Sequence, residues 1–126
     1  MAMRGVLVAA GAACALASPA PAVEVTDFDL DTTRELVALC SAQPGDALYA
    51  EALQFCYGYV AGIAQFHRAL IRADRIEPVA CPQHEVTREE LARVFLDWAR
   101  GNPAAEGQLA AESVARAAGA AWPCGK

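Results

Sequence analysis

The chain has 126 residues, 56% of them hydrophobic, and a formal charge of −5. Fifteen acidic residues against ten basic ones provide no positive field, which argues against nucleic acid and anionic membrane surfaces as partners. The acidic balance is compatible with a basic protein partner, and also with nothing more than solubility.

The first residues read as an export leader. Met1 to Arg4 is a short basic start, Gly5 to Ala17 is an uncharged apolar run, and Ser18-Pro-Ala-Pro-Ala22 supplies small residues for cleavage. A membrane anchor is the rival reading, but crossing a bilayer takes about 20 apolar residues and the run is shorter. Cys14 lies inside the run, where Gly11 stands in place of the branched residue that a lipoprotein signal prefers, so it reads as apolar filler that leaves with the leader. A leader of residues 1–22 leaves a mature chain of 104 residues, from Val23 to Lys126. It removes one basic residue and no acidic one, so the mature charge is −6. That length supports one hydrophobic core, hence a single domain over 23–126.

Val23 to Leu30 is acidic, without clear period, and reads as an extended or loose lead-in. Asp31-Thr-Thr-Arg-Glu35 starts a helix, with Thr32 and Glu35 spaced as a capping box, and Leu36, Val37, Leu39 and Cys40 form its stripe. Gln43-Pro-Gly-Asp46 is a turn. A long helix follows over about Ala47 to Arg72, in which Leu48, Ala52, Phe55, Cys56, Tyr59, Ile63, Phe66 and Leu70 recur at steps of three or four. Gly58 and Gly62 sit in its middle. Glycine there costs about 0.5–1 kcal/mol against alanine, so the pair predicts close packing against another helix. Asp74 to Val86 holds Pro78, Cys81 and Pro82 among charges and reads as a loop. Thr87-Arg-Glu-Glu90 is a second capping box, and Leu91, Val94, Phe95 and Trp98 line a helix that stops at Gly101. Asn102 with Pro103 starts a fourth helix, with Leu109, Ala110, Val114, Ala117 and Ala118 inward until Gly119. The fold class is therefore an all-α bundle of four helices.

The mature chain keeps Cys40, Cys56, Cys81 and Cys124, an even set that reads as two disulfides. Of the three pairings, the helix layout selects Cys40–Cys56 across a short turn and Cys81–Cys124 across an antiparallel pair. Loop entropy assigns roughly 3 and 4 kcal/mol to them, which decides folding for a domain stable by about 5–15 kcal/mol. Cys81-Pro-Gln-His84 has zinc-like spacing, but an oxidising compartment removes the thiolates that zinc needs.

No catalytic constellation emerges. Ser41 and Ser113 lie in no nucleophile motif, and the histidines fall on a helix (His67) and in a loop (His84). Asp27, Asp29 and Asp31 alternate like the start of a calcium loop but lack its glycine and terminal glutamate. The reading is a protein without catalysis, metal or cofactor.

The ordered set Cys40, Cys56-Tyr-Gly58-Tyr59-Val60-Ala-Gly62, Cys81-Pro82, Val86-Thr87, Leu91, Asn102-Pro103 and Trp122-Pro123-Cys124 resembles the Rap/Tai-type immunity family. These are periplasmic antidotes to type VI secretion amidase effectors, and the likeness spans about Leu36 to Cys124. It implies a helical periplasmic domain, often a homodimer, that binds a cognate peptidoglycan amidase and occludes its cleft, with no catalysis and no cofactor. The candidate binding element is the charged loop from Asp74 to Glu85, with Asp74, Arg75, Glu77, His84 and Glu85, because a loop anchored at Cys81 loses less freedom on binding. Two other readings come from different classes: an acid-stress periplasmic chaperone of the Hde kind, and a structural or assembly subunit of the envelope.

Overall fold

The structure is a computed structural model that describes residues 21–125. Most of the expected leader, Cys14 included, lies outside the described residues. The described residues hold four α-helices and no β-strand: α1 (Thr33–Cys40), α2 (Tyr49–Arg72), α3 (Arg88–Gly101) and α4 (Ala110–Ala121). Short 3-10 turns cover Val25–Asp29 and Pro103–Ala105. The all-α fold is as expected, and both expected disulfides are present: Cys40–Cys56 joins α1 to α2, and Cys81–Cys124 joins the α2–α3 loop to the chain after α4.

The start of α1 follows the capping chemistry. The backbone N–H and hydroxyl of Thr32 both donate to the Glu35 carboxylate, and this box holds that carboxyl below the usual carboxylate range, the Thr32 hydroxyl being the main cause. Two further N–H groups of the first turn find distant partners. Thr33 N–H donates to the Gln108 carbonyl at 2.8 Å and Arg34 N–H to the Glu106 carbonyl at 3.1 Å. These donors have no partner within their own helix, so the turn before α4 caps α1 in their place. Below them the buried hydroxyls of Thr33 and Ser113 share a hydrogen bond of 2.7 Å.

The core lies between the four helices. Leu36 and Leu39 come from α1, Ala52, Cys56 and Val60 from α2, Leu91 and Phe95 from α3, and Val114 and Ala117 from α4. Phe95, Leu36 and Leu39 are its largest fully buried side chains, whereas α4 supplies only small ones.

Four expectations need correction. The lead-in is not loose: Val25–Asp29 forms a 3-10 turn capped reciprocally by Glu24 and Asp27, and Phe28 meets Phe55 edge-on at 5.4 Å. Asn102-Pro103 does not begin α4. It opens a three-residue 3-10 turn, and α4 starts only at Ala110, because the carbonyls of Glu106 and Gln108 turn aside to α1. Leu109 therefore precedes the helix and is 67% exposed, and α4 runs through Gly119 to Ala121. On α2 the buried stripe is Ala52, Cys56 and Val60, a strict four-residue step that leaves Phe66 66% exposed.

The fourth correction concerns Gly58 and Gly62. Both are exposed, and a Cβ at either would meet nothing within 4 Å, so within this chain they are not close-packing positions. The core-facing stripe of α2 runs through Cys56 and Val60, which turns the glycines outward.

Gly58→Ala should therefore raise the unfolding free energy by about 0.5–1 kcal/mol through helix propensity alone. Thr33→Val should lower it by about 1–3 kcal/mol, because it removes the partner of the buried Ser113 hydroxyl. Urea denaturation of both variants checks the two signs.

Candidate functional site

The loop between α2 and α3 begins with a helix stop encoded by backbone geometry. Arg75 N–H donates to the Leu70 carbonyl at 2.9 Å and Asp74 N–H to the Ile71 carbonyl at 3.0 Å. Asp74 lies in the left-handed region with φ 52°. This is a Schellman end with aspartate at the position usually held by glycine, and aspartate is among the residues that tolerate it.

From there the chain crosses the bundle end to a fixed point at Cys81. Cys81 N–H donates to the Trp122 carbonyl at 2.8 Å, and its sulfur is bonded to Cys124. Between Asp74 and Cys81, Val79 settles in a slot between α2 and α4. Its N–H donates to His67 Nε2 at 3.1 Å, and its carbonyl packs against Gly119, where a Cβ would come within 2.8 Å of the oxygen. Ile76 and Val79 keep exposed apolar surface, at 38% and 49%.

Beyond Cys81 the loop turns into α3. His84 Nε2 lies 3.0 Å from Glu90 Oε1, and its ring meets Trp122 edge-on at 6.2 Å. Thr87 caps α3 by accepting from Glu90 N–H at 3.1 Å, but the reciprocal half of the expected box is missing, because the Glu90 carboxylate is turned to His84. The Arg88 guanidinium lies 5.6 Å from the centre of the Tyr57 ring and pairs with Glu89, which holds the Glu89 carboxyl below its ordinary range.

All five residues proposed for binding from the sequence, Asp74, Arg75, Glu77, His84 and Glu85, are exposed. They fall into two groups separated by the Cys81 tether: Asp74, Arg75 and Glu77 at the α2 end, His84 and Glu85 at the α3 end. Behind the loop lies a cleft of about 600 Å³, with Ala64, Leu91, Val114 and Trp122 among its walls and His67 and Arg68 beside them. A second cleft of about 400 Å³, near Arg34, Val37 and Arg100, shares no lining residue with it.

The polar groups that could act as nucleophiles serve the fold. Ser113 is buried against Thr33, and the Ser41 hydroxyl donates to the Val37 carbonyl at 2.6 Å. The sulfur of Cys81, half of the zinc-like spacing, is taken by Cys124. Among the described residues no cluster of three or more histidine, cysteine or carboxylate side chains could hold a metal ion. Among the described residues no helix is long and apolar enough to cross a membrane. What the loop offers is a fixed, mixed-charge surface with apolar points, suited to recognition.

Two residues that shape the loop, His67 and Gly119, escape sequence reading. His67 reads as an ordinary boundary histidine and Gly119 as a helix stop. Their roles depend on Val79, 12 and 40 positions away in the chain, and no local pattern links such residues.

Gly119→Ala should be destabilising, the reverse of Gly58→Ala. Overpacking against a backbone oxygen costs about 1–3 kcal/mol, which exceeds a propensity gain of at most about 1 kcal/mol. Paired urea melts test this, and a neutral or stabilising Gly119→Ala would contradict the contact.

A family model described as Rap1a immunity proteins matches residues 32–124. No curated protein and no solved structure matches the chain. The matched segment starts at the capped entry to α1, includes both disulfides and the Cys81-anchored loop, and ends at Cys124. The chain belongs to the Rap1a immunity protein family.

Proposed function

We propose that this immunity protein is exported, cleaved after Ala22, and works in the periplasm against a cognate peptidoglycan amidase delivered by type VI secretion. In this reading residues 74–85 enter the amidase cleft and block it, and residues 23–126 act as one binding domain. The observation that carries the proposal is the ordering of this loop by the Cys81 tether and the Val79 slot. A loop already held in one conformation loses little freedom on binding, about 0.5–1.5 kcal/mol less for each side chain that is already fixed.

The surface chemistry fits such a role. Asp74, Arg75 and Glu77 stand beside the exposed apolar Ile76 and Val79, so a partner meets polar groups around an apolar centre. The mature charge of −6 suits a basic partner and speeds its capture at low salt. A homodimer, which the family resemblance implies, belongs to the same reading and is measured by equilibrium sedimentation.

The test is co-expression in the periplasm with the product of the adjoining reading frame, which this reading expects to be a peptidoglycan amidase. The wild-type chain should restore growth and abolish muralytic activity. The double variant Arg75→Ala, Glu77→Ala, which leaves the left-handed Asp74 in place, should fold normally by circular dichroism and bind at least about tenfold more weakly, the equivalent of 1.4 kcal/mol. An amidase that stays fully active with excess wild-type chain removes the proposal.

A further inference from the structure

Residues 75–80 hang between the left-handed turn at Asp74 and the tether at Cys81. Among the described residues, the only hydrogen bond that ties a backbone N–H in the middle of that span to a helix runs from Val79 to His67 Nε2, at 3.1 Å. A backbone N–H can only donate, so Nε2 must present its lone pair and the ring proton must sit on Nδ1. A protonated imidazole carries hydrogen on both nitrogens. Two donors would then face each other, and the tie would be lost.

We propose that His67 is the positioning residue of the recognition loop, holding Val79 and its neighbours in their slot only while the imidazole is neutral. That these residues are the recognition element rests on the effector-binding reading above; the tie itself does not.

The sign follows from the hydrogen bond. The docked loop favours the neutral ring, so docking is lost when acidification adds the second ring proton. The charged and titratable groups lining the same cleft are Arg68 from α2, Arg88 from α3, and His84 and Glu85 from the loop. The α4 side contributes Val114, Ala115, Ala118 and the following Trp122, none of which titrates. Arg68 and Arg88 oppose a further positive charge, whereas Glu85 favours one. His84, paired with Glu90, is a second imidazole on the same cleft, so a variant at His67 itself must separate the two.

Gln is the informative replacement, because its side-chain oxygen can accept from Val79 N–H and does not titrate. Leu removes the acceptor. The measurement is amide hydrogen exchange at Val79 in the mature chain at about pH 7.5 and about pH 5.5, corrected for intrinsic exchange and read with the ring nitrogen shifts of His67. Wild type should show its ring proton on Nδ1 at the higher pH. It should lose at least about threefold in Val79 protection on acidification, because the protonated ring offers no acceptor. His67→Gln should keep protection at both values, and His67→Leu should lack it at both. Unchanged wild-type protection across the interval, or protection retained in His67→Leu, overturns the proposal.

A parallel arm measures inhibition, by wild type and His67→Gln, of the amidase that the effector-binding reading expects. Inhibition that weakens with acid in wild type relative to the Gln variant supports both readings. Val79 exchange that behaves as expected, with an amidase indifferent to the chain at either pH, upholds the positioning role and removes the effector reading.

Discussion

The tether at Cys81 is the constraint on which the α2–α3 loop end of the bundle depends. One residue is held twice, by its sulfur to Cys124 and by its N–H to the Trp122 carbonyl, so the chain after α4 and the loop before α3 become one unit. The bridge spans 43 positions in sequence, and closing a loop of that length removes substantial freedom from the unfolded chain. In the folded chain it divides a long connection into two short spans. Each span then needs only one or two further contacts, Val79 with His67 and Gly119 in the first, His84 with Glu90 and Trp122 in the second.

The opposite end of the bundle is closed by polar stitching. The first turn of α1 gives its N–H groups to the carbonyls of Glu106 and Gln108, and Thr33 meets Ser113 below them. An alanine-rich helix such as α4 buries little apolar area and therefore gains little hydrophobic stabilisation. Its place is specified instead by hydrogen bonds at its N-terminal side and by a covalent link just past its C-terminal side. The two ends divide the labour: one organises the core, and the other displays the loop.

Much of this was legible in the sequence. The pairing of Thr32 with Glu35 is a local pattern, a carboxylate accepting from the backbone N–H three residues before it, and it forms as read. Four cysteines distributed over successive helices and loops restricted the cross-links to a choice that helix order could make. Stripes with a period near 3.6 located α1, α2 and α3 to within about two residues. The errors share one cause. Phe55 and Phe66 look like core residues on a helical wheel, yet the stripe that faces inward is chosen by neighbouring helices. Pro103 satisfies every local rule for a helix start, but the carbonyls that follow it serve α1. Gly58 and Gly62 resemble a packing motif, but nothing among the described residues is placed to use them.

The sequence by itself determined the class of molecule: an acidic, helical chain with two cross-links. Those properties follow from composition, periodicity and short-range capping, which act within a few residues. The tertiary structure alone decided how the loop is held, through His67 accepting from Val79 and Gly119 clearing space for its carbonyl. Both contacts join residues far apart in the chain, and their existence depends on the angle at which α2, α4 and the Cys81 bridge meet.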